Sequence, residues 1–215
     1  MYVLTALAPR VAVYAHGTAP PAVREGWIAL AQLPPALGSP AVFGDGSHPT
    51  TRLCAAAVDL LSRQRHPEAV LDVGTGTGIL ARIARARGAS FVVATDIDPD
   101  ALSCARAHAR LDSQRVEIEL SSEPPDHWGP RFNLVVANIL QNPLEALAPA
   151  FGRALAPDGL LLISGFTRPQ APSLRVLYEK AGMAFRGQSN LDDWVLLMFT
   201  LSDIQRVTAD QVPSH

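Results

Sequence analysis

The stretch Ala69-Val-Leu-Asp-Val-Gly-Thr-Gly-Thr-Gly-Ile-Leu80 decides how this 215-residue chain is read. Residues 69–73 are a short β-branched run of the kind that suits a strand buried on both faces, and the run breaks into a glycine turn before a helix opens. Glycines at 74, 76 and 78 let backbone approach a ligand where a Cβ would collide, and the helix start aims free N–H groups at it. Twenty-two residues after Gly74, a second apolar run, Phe91-Val-Val-Ala-Thr-Asp96, ends on an acid able to accept hydrogen bonds from two ribose hydroxyls. Together the two runs describe a nucleoside-cofactor site, without naming the nucleoside.

Spacing narrows the choice. The dinucleotide fingerprint places its third glycine three residues after the second, where this chain has Ile79. The observed Gly74-x-Gly76-x-Gly78, with an acid at Asp72 in the strand before it, resembles instead the first motif of class I S-adenosylmethionine-dependent methyltransferases. A methyl donor is therefore preferred to a nicotinamide.

With 48% apolar and 18% charged residues, the chain is long enough for one well-buried domain and short for two. A net charge of −2 gives no reason to expect nucleic acid or an anionic membrane as a partner, and permits a basic one. Arg82, Arg85 and Arg87 look like the solvated face of a helix. Cys54 and Cys104 fall in helical patterns without metal-ligand spacing and read as two buried thiols of a reducing compartment, so no metal is expected. The start lacks a basic segment and is broken by Pro9, and no run approaches a membrane span, so the expected location is cytoplasmic.

Residues 1–42 hold six of the 18 prolines (9, 20, 21, 34, 35 and 40) and only short apolar stretches, Val11–Tyr14 and Trp27–Leu30 being the best strand candidates. They read as a proline-rich lead-in. A helix is expected over 49–64, with Leu53, Ala57, Leu60 and Leu61 on one face. Then follow strand 69–73, helix 78–87, strand 91–96, helix 99–110, strand 116–120, strand 133–138, helix 144–155, strand 159–164 and helix 169–181. Alternation of this kind makes an α/β fold, a parallel sheet with helices on both faces. Ala184–Ser189 and Trp194–Leu201, joined by Asn190-Leu-Asp-Asp193, read as a C-terminal antiparallel hairpin. The domain is placed at 43–201, and 202–215 is a polar tail expected to fray.

Upstream of the first long helix stands Val42-Phe-Gly-Asp-Gly-Ser-His-Pro-Thr-Thr-Arg-Leu-Cys54, a compact loop with hydroxyls and N–H groups free for an anion or carboxylate. It closely resembles a segment of the bacterial ribosomal protein L11 methyltransferases. Further matches follow in order at Asp96-Ile-Asp-Pro-Asp-Ala-Leu102, Val135-Val-Ala-Asn-Ile-Leu-Gln-Asn-Pro-Leu144, Leu162-Ile-Ser-Gly-Phe166, Gln170 and Asp193-Trp194. The resemblance spans roughly 42–199. It implies a Rossmann-like methyltransferase sheet, S-adenosyl-L-methionine as cofactor, and cofactor-binding roles for Thr51, Gly74, Asp96 and Asn138, to which the glycine turn adds Gly76. It also implies methyl transfer to a protein amine, a lysine or N-terminus, with ribosomal protein L11 or another protein as substrate. Asp45 and Ser47 stand where the family usually has threonines, and Thr75 where it commonly has cysteine. Family members that methylate L11 carry a separate N-terminal domain that grips it, and 42 proline-rich residues are too few to build one.

Asn138, at the carboxyl end of its strand, is the candidate catalytic residue, its side-chain carbonyl available to the acceptor amine. His48 is expected to stabilise its turn. His127 and Trp128 read as a surface hinge, and Glu117 and Glu119 as the outer face of a strand rather than an acid pair. Three functions stay open on residues alone: an active methyltransferase, of a protein or a small molecule; another nucleotide enzyme; and a catalytically silent cofactor-binding module.

Overall fold

The computed structural model describes residues 5–17, 21–33, 42–112 and 117–203. Three short strands come first: β1 (Thr5–Ala8), β2 (Val11–Ala15) and β3 (Ile28–Gln32), in the order β1-β2-β3. They form a small sheet in which β2 pairs with β1 antiparallel and with β3 parallel. Both strand candidates in the lead-in are therefore strands; Pro20, Pro34, Pro35 and Pro40 lie outside the described residues.

From Pro49 the chain builds a seven-stranded sheet. Its elements are α1 (Pro49–Arg65), β4 (Ala69–Val73), α2 (Ile79–Ala86), β5 (Phe91–Thr95), α3 (Pro99–Ala109), β6 (Glu119–Ser121), β7 (Phe132–Asn138), α4 (Gln141–Ala154), β8 (Leu155–Thr167), α5 (Ala171–Lys180), β9 (Met183–Leu191) and β10 (Trp194–Leu201). The strand order is β6-β5-β4-β7-β8-β10-β9. All pairs from β6 to β8 are parallel, and β10 inserts antiparallel between β8 and β9. The expected α/β sheet and C-terminal hairpin are thus present, with the hairpin's last strand inside the sheet and not at its edge.

Boundaries moved where local chemistry differs from periodicity. Helix α4 begins three residues early because extended Leu140 (ψ 160°) turns the chain at Gln141, putting Pro143 in a first turn that needs no N–H partner. Strand β6 is shorter than expected, and Val116 lies outside the described residues. On α1 the buried face carries Thr51, Cys54, Ala55, Val58, Asp59 and Ser62, while Leu60 is exposed. The helix is rotated from the expected stripe because it packs polar side chains inward.

The sheet separates two apolar clusters. One side gathers Leu71, Val135 and Ile163 with Leu144 and Phe151 of α4 and Leu174 and Tyr178 of α5. The other gathers Val70, Val92 and Val136 with Cys54 and Val58 of α1, Ile83 of α2, and Leu7, Val11 and Leu30 of the small sheet. Arg82 and Arg87 work within this second layer, contrary to the expectation of a solvated face. Arg82 is fully buried, with Nε donating to Asp112 Oδ2 at 2.9 Å and Nη2 to Ala31 O at 2.9 Å. Arg87 donates to Asp59 at 2.6 Å and to Gly26 O at 2.9 Å. Cys54 is buried and Cys104 only partly so, both as free thiols. Among the described residues no helix is long and apolar enough to cross a membrane, and no cluster of His, Cys, Asp or Glu could hold a metal ion.

Candidate active site

At the carboxyl ends of β4, β5 and β7, where open α/β sheets bind ligands, the loops enclose a cavity of about 740 Å³. Gly74, Gly76, Asp96 and Asn138 all line it. Thr51 does not. It lies one layer back, where the Asn138 Nδ2 donates to Thr51 Oγ1 at 3.4 Å, and Thr50 faces the cavity in its place.

The glycine turn is held by the protein itself. Gly74 and Gly76 have φ of +70° and +53°, and a Cβ on Gly74 would stand 2.1 Å from Ile139 Cγ2, one on Gly76 2.2 Å from Phe43 O. At both positions the absence of a Cβ already makes room for neighbouring protein. Asp96 joins the turn to the second strand: its Oδ2 accepts the Gly76 N–H at 3.1 Å and its Oδ1 the Asp98 N–H at 3.0 Å. Beneath the turn, Asp72 Oδ2 accepts the Thr75 hydroxyl at 2.7 Å and the Ala81 N–H at 3.2 Å, fixing the start of α2. Burial pushes the Asp72 carboxyl up to about 6, with the charge of Asp96 adding and the Thr75 and Ala81 hydrogen bonds opposing. Nearby Cys54 is driven far above the usual thiol range by burial, with Asp72 adding, so it is no nucleophile.

The opposite wall is aromatic. His48 caps α1, its Nδ1 accepting the Thr50 N–H at 3.3 Å, which gives the turn-stabilising role expected of it. Its ring also meets Phe43 edge-on at 5.2 Å and Trp194 at 4.5 Å between centroids. All three line the cavity with Asn138, whose Oδ1 is buried and has no hydrogen-bond partner among the described residues. Trp194 received no role from sequence, although its place directly after the hairpin turn, opposite Thr167 of β8, delivers it to the site. His127 and Trp128 lie in a 3-10 turn, His127 3.6 Å from Glu123 and Trp128 donating to Glu119 at 3.3 Å.

A volume of several hundred Å³, an acid ending the second strand and a buried amide oxygen on the floor fit a nucleoside cofactor. The fold is that of the class I methyltransferases, the class that uses S-adenosylmethionine. The chain belongs to the ribosomal protein L11 methyltransferase (PrmA) family, which matches residues 35–202. It is 40% identical over 164 residues to the ribosomal protein L11 methyltransferase of Hydrogenovibrio crunogenus, covering 74% of this chain and 52% of that protein. To that of Rhodopseudomonas palustris it is 40% identical over 162 residues, covering 73% and 55%. The chain spans about half the length of the curated relatives it matches. A crystal structure of ribosomal protein L11 methylase from Lactobacillus delbrueckii subsp. bulgaricus superposes with a TM-score of 0.80 at 27% identity, covering 93% of this chain and 98% of that one.

Proposed function

We propose that this chain is an S-adenosylmethionine-dependent N-methyltransferase acting on a protein amine, a lysine or an N-terminus, with ribosomal protein L11 as the first substrate to try. The observation that carries the reading is the unpartnered, buried Oδ1 of Asn138 in a wall of Phe43, His48 and Trp194. An amine nucleophile must arrive neutral, and apolar walls favour that form by desolvating the cation. Asn138 Oδ1 would accept one amine N–H and aim the lone pair into the cavity, its own orientation set by the hydrogen bond to Thr51. When bound, S-adenosylmethionine supplies an electrophilic methyl group on sulfur. Gly74, Gly76 and Asp96 would hold it, Asp96 by its carboxylate and the glycines by close backbone approach, with Thr51 supporting Asn138 from behind.

Residues 43–201 form the catalytic unit in this reading. Residues 1–42 are a lead-in whose strands pack on α1 and α2 through Leu7, Val11 and Leu30. It works in the cytoplasm, where its protein substrate is made, and needs neither nucleic acid nor membrane. The test begins with calorimetry of S-adenosylmethionine. Wild type binds, and Asp96→Ala weakens binding at least about 100-fold by removing two charge-assisted hydrogen bonds. Labelled donor is then offered with purified bacterial ribosomal protein L11, and methyl incorporation is located by mass spectrometry. Absence of cofactor binding sinks the proposal; binding without transfer to L11 or to any protein or small molecule of a lysate makes the chain a silent cofactor-binding module.

A further inference from the structure

The glycine turn and the loop bearing the aromatic wall are far apart in sequence, yet their backbones touch. Phe43 O occupies the space a Cβ on Gly76 would need, at 2.2 Å. The residue after Gly76 closes this contact. Thr77 N–H donates to Phe43 O at 3.1 Å and Thr77 Oγ1 to Gly44 O at 2.6 Å. Thr77 is itself 4% exposed and does not line the cavity. At its other end the same loop is fixed by His48 on α1, with Ser47 N–H and hydroxyl both donating to Asp45 Oδ1 at 2.9 and 2.7 Å.

We infer that Thr77 is a positioning residue that clamps the Phe43-Gly44 carbonyls onto the glycine turn, so that cofactor binding to the turn orders the aromatic wall of the acceptor slot. The coupling part rests on the cofactor site proposed above; the clamp does not. Ordering one loop lowers the cost of using the next, which links the two halves of the cavity without a large change of shape.

Hydrogen exchange on the full chain tests it, in wild type, Thr77→Val and Thr77→Ser, with and without S-adenosylhomocysteine. Without ligand, T77V exchanges faster by about tenfold over residues 42–48, through loss of the bond to a buried carbonyl, while β4 keeps its protection. T77S, which retains the hydroxyl, restores the wild-type rate. Unchanged exchange at 42–48, or an equal rise in β4, overturns the clamp. In wild type the ligand slows 42–48 together with the glycine turn; slowing of the turn alone overturns the coupling, a check that holds even if T77V folds poorly. Calorimetry of wild type with the same ligand keeps the two proposals separate. No binding there would reject the cofactor site and the coupling with it, and the ligand-free comparison would still decide the clamp.

Discussion

The two faces of the central sheet are built from different materials. Under α4 and α5 the layer is apolar and aromatic, with Tyr178 stacked against Phe151 and Phe199 at centroid distances of 6.4 and 5.1 Å. Under α1 and α2 the buried set includes Thr50, Thr51, Asp59, Ser62, Asp72 and Arg82. Strand alternation makes this division: Leu71 and Val73 face one way, Val70 and Asp72 the other, and Asn138 continues the side of Leu134 and Val136. The polar face does two jobs that apolar packing cannot. It anchors the small sheet through Arg82 and Arg87, and it supports the cavity through Asn138, with Thr51 behind that side chain and Asp72 beneath the glycine turn.

Breaking that contrast most sharply means removing Arg82. Its guanidinium satisfies Asp112 and the carbonyl of Ala31, so Arg82→Ala leaves both without their partner at a cost of about 3–5 kcal/mol. Urea unfolding monitored at equilibrium measures it. Because the loss is mostly that of an unpaired charge, the double variant Arg82→Met with Asp112→Leu is expected to recover most of it. A double variant no better than Arg82→Ala would mean that the ion pair itself, and not the stranded partner, holds the face together.

The same contrast explains what the sequence disclosed. Where burial is apolar, alternation and periodicity sufficed: strand 69–73, apolar but for Asp72, has its expected ends, and the terminal hairpin is where Asn190–Asp193 placed it. Where burial is polar they misled. The inward Thr51, Asp59 and Ser62 of α1 look like a solvent face to any hydropathy pattern, and so does Arg82, because nothing in a local window announces Asp112, thirty residues away. At the site, Gly74, Gly76, Asp96 and Asn138 were legible as motif residues. Trp194 and Thr77 act through strand pairing and backbone contacts to distant segments, and neither leaves a local signal.

A smaller effect is expected at Asp72, which is buried with no counter-ion among the described residues. Its carboxyl is raised from 3.8 to about 6 in the folded chain, so the folded state holds the proton more tightly than the unfolded one. The group therefore contributes stability below pH 3.8 that is lost as pH rises to about 6, and above that the full cost of the buried charge is present. Asp72→Asn keeps a carbonyl acceptor for Thr75 and Ala81 and removes the charge. Relative to wild type, its stability should rise by on the order of 2–3 kcal/mol between pH 4 and pH 7. Chemical denaturation at several pH values gives the difference; parallel profiles would mean that Asp72 is solvated well enough to ionise normally.

The smallest effect is expected on the apolar face, from the polar atom that it contains. Tyr178 donates its hydroxyl to Leu144 O at 2.8 Å, and burial pushes its phenol well above its ordinary range, so it stays neutral at any pH the fold survives. Tyr178→Phe keeps the ring stack and removes one neutral hydrogen bond. Leu144 O lies within α4, where a helical N–H also reaches it, so no acceptor is stranded. The cost should be about 1 kcal/mol, seen as a lower urea midpoint with the denaturant slope unchanged. Cofactor affinity should not move, since the residue lies across the sheet from Asn138. A loss approaching that of Arg82→Ala would mean that this face too depends on a polar link, and the division between a packing face and a working face would not hold.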